Sequence, residues 1–192
     1  ATILVLLMLS GFIFQSTCFA LPKLFEERLG GGAVSATLVG WMTFIVFTIG
    51  SMAQLVVGHY LDRIGVKPLL LLVATIQVLF FALMPGQSSW ISVLIACGFM
   101  LGSFGQLPIT DFMVGKMARS ELRSTVYGAR YVVTCLVFAS AIPVIAWLHH
   151  GWGFDMLFRV LSVVAIAMIG VILLLPGKLP EPGAAPKAVA AE

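Results

Sequence analysis

The sequence is dominated by long runs of apolar residues, several of them about as long as a membrane is thick. A transmembrane helix needs about 20 apolar residues to cross a hydrocarbon core of about 30 Å. Charged residues make up only 10% of the chain, against about 25% in an ordinary soluble domain. We therefore predict an all-α membrane protein with six transmembrane helices. The predicted spans are residues 2–21, 34–60, 69–84, 90–112, 126–148 and 154–175.

The chain divides into a transmembrane bundle over residues 1–176 and a tail over residues 177–192. The tail is rich in proline and alanine and is too poor in large apolar residues to form a core, so we expect it to be disordered. The bundle begins at Ala1, without a methionine and inside an apolar run. This start indicates a fragment or a processed product.

The basic residues fall mostly on one side of the predicted bundle. Cytoplasmic loops of membrane proteins carry an excess of Lys and Arg. The richer side comprises the second loop, the fourth loop and the tail, so we expect these to be cytoplasmic, in a bacterial inner (plasma) membrane. That side carries Arg63, Lys67, Lys116, Arg119, Arg123, Arg130, Lys178 and Lys187, and the other side carries Lys23, Arg28 and Arg159.

A charged loop, residues 58–68, separates the second and third spans. It places Asp62, Arg63 and Lys67 within six positions, in a chain of which only 10% of the residues are charged. Gly65 permits a turn geometry that a β-carbon would resist. This concentration of polarity indicates a functional turn, and the alternative is a polar turn that only anchors the topology.

Each remaining residue of the charged loop has an expected contact. Gly58 allows a neighbouring helix to approach closely. Asp62 can accept hydrogen bonds from the free N–H groups at the start of the fifth helix, which begins on the same side. The two basic residues can pair with Asp111 or Glu121, the acidic residues of the fourth loop. Such contacts would hold this side of the bundle closed.

The pattern Gly58-x-x-x-Asp62-Arg63-x-Gly65-x-Lys67 resembles the signature loop of the major facilitator superfamily of secondary transporters. That signature reads G-x-x-x-D-[RK]-x-G-x-[RK]-[RK], and only its last basic position differs here, where a proline stands. The resemblance extends over about residues 1–176. It implies half of a twelve-helix fold, built as two inverted repeats of three helices each.

The resemblance also implies a function. We expect secondary active transport of an unknown small-molecule substrate by alternating access, in which the bundle rocks against a partner bundle. The fourth helix has no Arg and the fifth lacks a G-P-x-x-G-G-like stretch, so the chain resembles the C-terminal half of such a transporter. The expected partners are the lipid bilayer and an N-terminal six-helix half or another membrane subunit. The alternative is an orphan six-helix structural subunit of a larger membrane complex, without transport activity.

Two helices carry the candidate substrate cavity. Gly- or Pro-interrupted spans at matching positions of the two repeats mark the substrate site in such folds. The first and fourth helices fit, and Gln15, Ser103 and Gln106 are the candidate cavity residues. The alternative is that these side chains join helices to one another, since amides commonly hydrogen-bond across membrane bundles.

The candidate gate partners of the charged loop are Asp111, Glu121, Arg123 and Arg130. An arginine inside a membrane span is a functional-site hypothesis by default. Arg130 would favour either an anionic substrate or a pair with Asp111. The alternative is that Arg130 extends its charged end to the membrane interface.

Other residue patterns exclude several classes of protein. No nucleophile–base pair, phosphate-binding loop or metalloprotease motif is present, so we expect no enzyme activity, no cofactor and no metal site. No basic patch with interleaved aromatic residues indicates nucleic acid. The three cysteines lie in apolar runs and are expected to be buried thiols. We further expect Asp155 to pair with Arg159, one helical turn away, and His149-His150 to be solvated in an external loop.

Overall fold

The computed structural model describes residues 2–30, 35–87, 90–117 and 123–175. Every helix or strand assigned within these ranges is an α-helix, which confirms the predicted fold class at this level. The helices are α1 (Thr2–Gly30), α2 (Ala36–Ile64), α3 (Val66–Leu83), α4 (Trp90–Met117) and α5 (Arg123–Leu173).

Five helices of the described chain are long and apolar enough to cross a membrane. Each contains an 18-residue window of high mean hydropathy with at most two charged residues. Backbone N–H and C=O groups find no partners in hydrocarbon, so an α-helix, which pairs them internally, is the form such segments adopt in a bilayer. The chain is an integral, multi-pass membrane protein.

The last helix, α5, is much longer than one crossing requires. Its 51 residues would extend about 76 Å at 1.5 Å per residue, more than twice the thickness of a bilayer core. The helical geometry breaks at Gly153, where φ is 74° and ψ is −174°. The element covers both predicted spans 126–148 and 154–175, and the break lies in the loop predicted between them.

The chain reverses direction at this break. At one end of α3, the Gly86 N–H donates to an Asp155 carboxylate oxygen at 3.1 Å. At the other end of α3, the Lys67 ammonium donates to the Leu175 carbonyl at 2.8 Å. Residues 155–175 therefore run antiparallel to α3. Below, the two ends of the bundle are called the Gly65 end and the Gly86 end.

A cluster of three phenylalanine rings joins α3, α4 and α5. Phe81, Phe99 and Phe158 are fully buried. Their ring centroids lie 5.2 Å apart for Phe81 and Phe99, and 5.5 Å apart for Phe99 and Phe158. At such distances between ring centroids, aromatic rings attract each other by more than the burial of their apolar surface accounts for. The cluster fixes the second segment of α5 against the rest of the bundle.

The first helix continues past the position where the sequence predicts its end. The first span was predicted to end at residue 21, but α1 runs to Gly30 with Pro22 inside it. Proline is tolerated within transmembrane helices because neighbouring groups satisfy the freed carbonyl. The prediction was wrong here, and the extra turns carry Lys23, Glu27 and Arg28 to the Gly86 end.

The cysteines are free, but not all of them are buried. Cys18 and Cys97 are partly exposed, and Cys135 is exposed. The expectation of three buried thiols was wrong for Cys135. It lies on an exposed face of α5, and the apolar character of its neighbours does not distinguish an exposed face from a buried one.

Candidate functional site

The charged loop is shorter than predicted, because the flanking helices extend into it. α2 continues to Ile64 and α3 begins at Val66, so Gly65 alone separates them. Gly65 has φ of 89° and ψ of 169°, a conformation that side-chain-bearing residues rarely adopt, and its N–H donates to the Leu61 carbonyl at 3.2 Å. The turn geometry expected of Gly65 is present. Asp62 and Arg63 therefore lie on the last turn of α2.

Lys67 binds the end of the last helix instead of an acidic side chain. Its ammonium donates to the carbonyls of Leu173 and Leu175, at 3.1 and 2.8 Å. The last carbonyls of a helix lack partners within the helix and carry partial negative charge, so a cation there is favourable. This contact was not predicted from the sequence. The sequence feature that could have indicated it is a lysine on the same predicted side of the membrane as the end of the last span.

Replacing Lys67 with methionine is expected to loosen the last turn of α5. The lost interaction is of the size of a cation at a helix C-terminus, about 0.3–1 kcal/mol. Local opening should rise by the corresponding factor, so amide hydrogen exchange at Leu173 and Leu174 should accelerate about two- to fivefold. Hydrogen-exchange mass spectrometry of the detergent-solubilised chain measures this rate.

Lys23→Met is the matched control for this measurement. Lys23 is exposed and pairs with Glu26 one turn away on the same helix, at the opposite end of the bundle. This variant should leave exchange in the last turn of α5 unchanged. Equal exchange in Lys67→Met and in the unmodified chain would show that the lysine does not stabilise the helix end.

The two charged residues at the end of α2 face away from the bundle. Asp62 and Arg63 are exposed. The described parts of α2 and α5 make no contact, so the structure does not bring Asp62 to the start of α5. Nothing lies within 4 Å of the position a Gly58 β-carbon would take. The close approach expected at Gly58 is therefore not formed by the described residues of this chain.

Of the four candidate gate partners, Arg130 and Asp111 contact each other. Arg130 of α5 forms an ion pair with Asp111 of α4, and their side chains are 20% and 59% exposed. Arg123 is the first residue of α5. Glu121 lies outside the described residues. The predicted pairing of Arg130 with Asp111 is thus present as a contact at the Gly65 end of α4.

The three candidate cavity residues are all buried. Gln106 donates through Nε2 to the Ser10 carbonyl at 3.0 Å and so joins α4 to α1. Ser103 accepts a hydrogen bond from Gln77 of α3 at 3.4 Å. Gln15 lies half way along α1. In this arrangement, Gln106 and Ser103 join helices, and Gln106 Oε1 has no partner among the described residues.

A second polar cluster, which was not predicted from the sequence, lies at the Gly86 end. Arg28 pairs with Asp155 and also donates to the Gln87 carbonyl. His149 Nε2 lies 2.8 Å from a Glu27 carboxylate oxygen. The expected pair of Asp155 with Arg159 was wrong, and His149, which is 31% exposed, has a carboxylate partner that was not expected. The partners lie more than 100 residues away along the chain, which no local spacing indicates.

The remaining chemistry of the described residues is sparse. Among them, no group of three or more His, Cys, Asp or Glu side chains is placed to hold a metal ion. The charged side chains gather at the two ends of the helices, and the interior holds amides and hydroxyls. The buried polar side chains of the described residues are therefore neutral, and the charged ones lie at the two ends.

Comparison with known proteins identifies the family. The family model described as Major Facilitator Superfamily matches residues 3–191. No match to the chain is found among curated proteins. Proteins of this superfamily are membrane transporters and generally not enzymes. Because the matched residues include nearly the whole sequence, the chain belongs to the Major Facilitator Superfamily.

Proposed function

We propose that the chain is the C-terminal six-helix half of a secondary transporter that moves a small solute by alternating access. The family match over residues 3–191 carries this proposal. In such transporters, two bundles rock around a central site that opens to one side of the membrane at a time. The proposed partners are an N-terminal six-helix half and a small-molecule substrate.

The geometry of α5 supports a count of six crossings. The helix breaks at Gly153, and its second segment runs back along α3 to Lys67. Each segment is about long enough for one crossing, since about 20 residues are needed. The segments before and after Gly153 are then the fifth and sixth helices of the half.

The packing of α5 also supports two inverted repeats. Phe19 of α1 and Phe138 in the first segment of α5 have ring centroids 5.0 Å apart. Gly50 of α2 lies against Phe104 and Met100 of α4. The second helix of each three-helix set therefore packs on the first helix of the other set. This exchange is what a two-fold axis between the sets would produce.

The Gly65 end is proposed to face the cytoplasm. Arg63, Lys67, Lys116 and Arg130 belong to this end, and excess Lys and Arg mark cytoplasmic loops. The Gly86 end carries Arg28 together with two acidic residues, Asp155, which pairs with Arg28, and Glu27, which contacts His149. A bacterial inner membrane and a disordered tail over residues 177–192, which lie outside the described residues, remain predictions.

The substrate is proposed to bind along α1 and α4. Gln15, Ser103 and Gln106 lie near the middle of these helices. A buried acceptor without a partner costs about 1–3 kcal/mol, so the free Gln106 Oε1 favours a bound hydrogen-bond donor in another state of the cycle. The Gln106 contact with the Ser10 carbonyl would then be exchanged for a contact with the solute.

The gate is proposed to form at the Gly65 end. Lys67 and the Asp111–Arg130 pair hold α3, α4 and α5 together there. Asp62 and Arg63 are exposed on the last turn of α2. The Asp62 carboxylate is therefore available to the other half of the transporter. Contacts made by Asp62 in the closed state would break when the gate opens.

Replacing Asp62 with asparagine is expected to reduce transport by the complete transporter about tenfold. Losing one charged contact of about 1.4 kcal/mol in the closed gate corresponds to that factor. An uptake and efflux screen of small solutes in cells first identifies a transported compound. Initial rates for that compound are then compared at equal amounts of protein in the membrane.

Glu26→Gln is the matched control, because Glu26 is an exposed carboxylate at the opposite end of the bundle. It should transport at close to the unmodified rate. Undiminished uptake in Asp62→Asn would remove the gating role.

The reading frame upstream of Ala1 separates the half-transporter from an orphan structural subunit. Six further predicted spans there support the transporter, and a start codon close to Ala1 would overturn the half-transporter proposal.

A further inference from the structure

An apolar groove runs along the outside of the bundle between α2 and α3. Both helices pack on α4, whose Leu101 and Gly102 form the floor of the groove. The groove has a volume of about 480 Å³. Its walls are formed by residues of α2 from Ile49 to Tyr60 and of α3 from Leu69 to Ile76. Apart from the Tyr60 hydroxyl, the lining side chains are hydrocarbon or thioether.

The length and position of the groove match one leaflet of a bilayer. The α2 wall extends over 11 residue steps from Ile49 to Tyr60, about 16 Å at 1.5 Å per residue. Half of a hydrocarbon core is about 15 Å. The groove begins near the middle of α2 and ends beside Gly65. An acyl chain of a lipid in the leaflet at the Gly65 end would fit along it.

The end of the groove carries a positive charge. On α2, Met52, Val56 and Tyr60 line the groove at intervals of four residues, and Arg63 follows on the same helical face. Arg63 is exposed and forms no ion pair within the described part of the chain. Tyrosine and arginine at such a position lie at the level of lipid headgroups. A phosphate group is the anion that a lipid would present there.

We propose that the groove between α2 and α3 binds one phospholipid with a net negative headgroup. One acyl chain lies between Ile49 and Tyr60, and the phosphate contacts Arg63. The lipid covers Met52, Val56 and Leu72, which are each more than half exposed in the chain alone. This site lies on the outside of α2 and α3, away from Gln15 and the seam between α1 and α4, so the lipid is distinct from the transported solute.

Native mass spectrometry of the full chain in detergent tests the site. The chain is mixed with phosphatidylglycerol or with phosphatidylcholine of the same acyl chains. We expect one phosphatidylglycerol to be retained in preference to phosphatidylcholine. Val56→Trp with Leu72→Trp fills the groove and should abolish retention of both lipids. Both positions are exposed, so the larger side chains do not enter the core.

The matched control places two tryptophans on another exposed face. Val132 and Leu136 of α5 are 61% and 65% exposed, and their double tryptophan variant should retain phosphatidylglycerol as the unmodified chain does. Circular dichroism confirms equal helix content in both double variants. Equal lipid retention in the groove-filled variant and in this control would overturn the proposal. A dimer that disappears on filling the groove would also overturn it, because the occupant would then be a second copy.

A charge variant tests the headgroup contact separately. Arg63→Gln should lower the preference for phosphatidylglycerol over phosphatidylcholine about fivefold, the factor equivalent to about 1 kcal/mol per basic residue at a lipid surface. Arg159→Gln removes an exposed arginine from the other end of the bundle and should leave the preference unchanged. An unchanged preference in Arg63→Gln would overturn the assignment of the phosphate to this arginine.

Discussion

Replacing Gly102 with alanine is expected to lower the free energy of unfolding by about 1–3 kcal/mol, the cost of overpacking a close-packed interior. A β-carbon at Gly102 would lie 2.6 Å from Gln77 Cγ and 3.3 Å from the Val73 carbonyl oxygen. Gln77 is fully buried, so its side chain cannot move out of the way without displacing its packing neighbours. Moving it would also break its hydrogen bond to Ser103. Thermal unfolding of the chain in detergent measures the effect.

Gly58→Ala separates this clash from the general effect of removing a helical glycine. Both glycines lie inside helices, where alanine is intrinsically favoured by about 1 kcal/mol. Nothing lies within 4 Å of a β-carbon at Gly58, so that variant should be as stable as the unmodified chain or more stable. Gln77→Ala added to Gly102→Ala should recover part of the loss. Equal unfolding temperatures for the two glycine variants would show that α3 and α4 do not pack closely at Gly102.

The glycines of α4 show what could be predicted from the sequence and what could not. Their presence inside an apolar span predicts an interruption of the helix near the substrate site. α4 is continuous, and Gly98 and Gly102 instead let Phe80 and Gln77 of α3 approach. Small residues in membrane helices can either interrupt a span near a substrate site or let two helices approach closely. The choice between them depends on the neighbouring helix, which one sequence does not place.

The spans themselves were predictable because they depend on local composition. Hydropathy located the predicted starts of α1 and α4 and the loop containing the break at Gly153. Helix ends were less predictable, since Pro22 was accommodated and α2 and α3 extended into the charged loop. Contacts such as Arg28 with Asp155 join residues 127 positions apart and follow only from the packing. The Gly65 turn was predictable because its cause is the backbone of one residue.

Exchanging the charges of Asp111 and Arg130 is expected to restore most of the transport that either single reversal removes. The ion pair ties the end of α4 to the first segment of α5. Arg130→Asp places two acids side by side and Asp111→Arg places two arginines side by side. Each should reduce transport by the complete transporter about tenfold, equivalent to about 1.4 kcal/mol in the closed gate. The double exchange should return the rate to within about threefold of the original.

The stability of neutral variants distinguishes a gate contact from a structural one. Asp111 is 59% exposed, so the solvent-screened pair should contribute less than about 1 kcal/mol to unfolding. Neutral variants, Asp111→Asn and Arg130→Gln, should therefore unfold at nearly the original temperature while transport falls. A loss of transport that follows a matching loss of folded protein would assign the pair to stability alone. Additive transport losses in the double exchange would show that the two residues act independently, because a functional pair must couple.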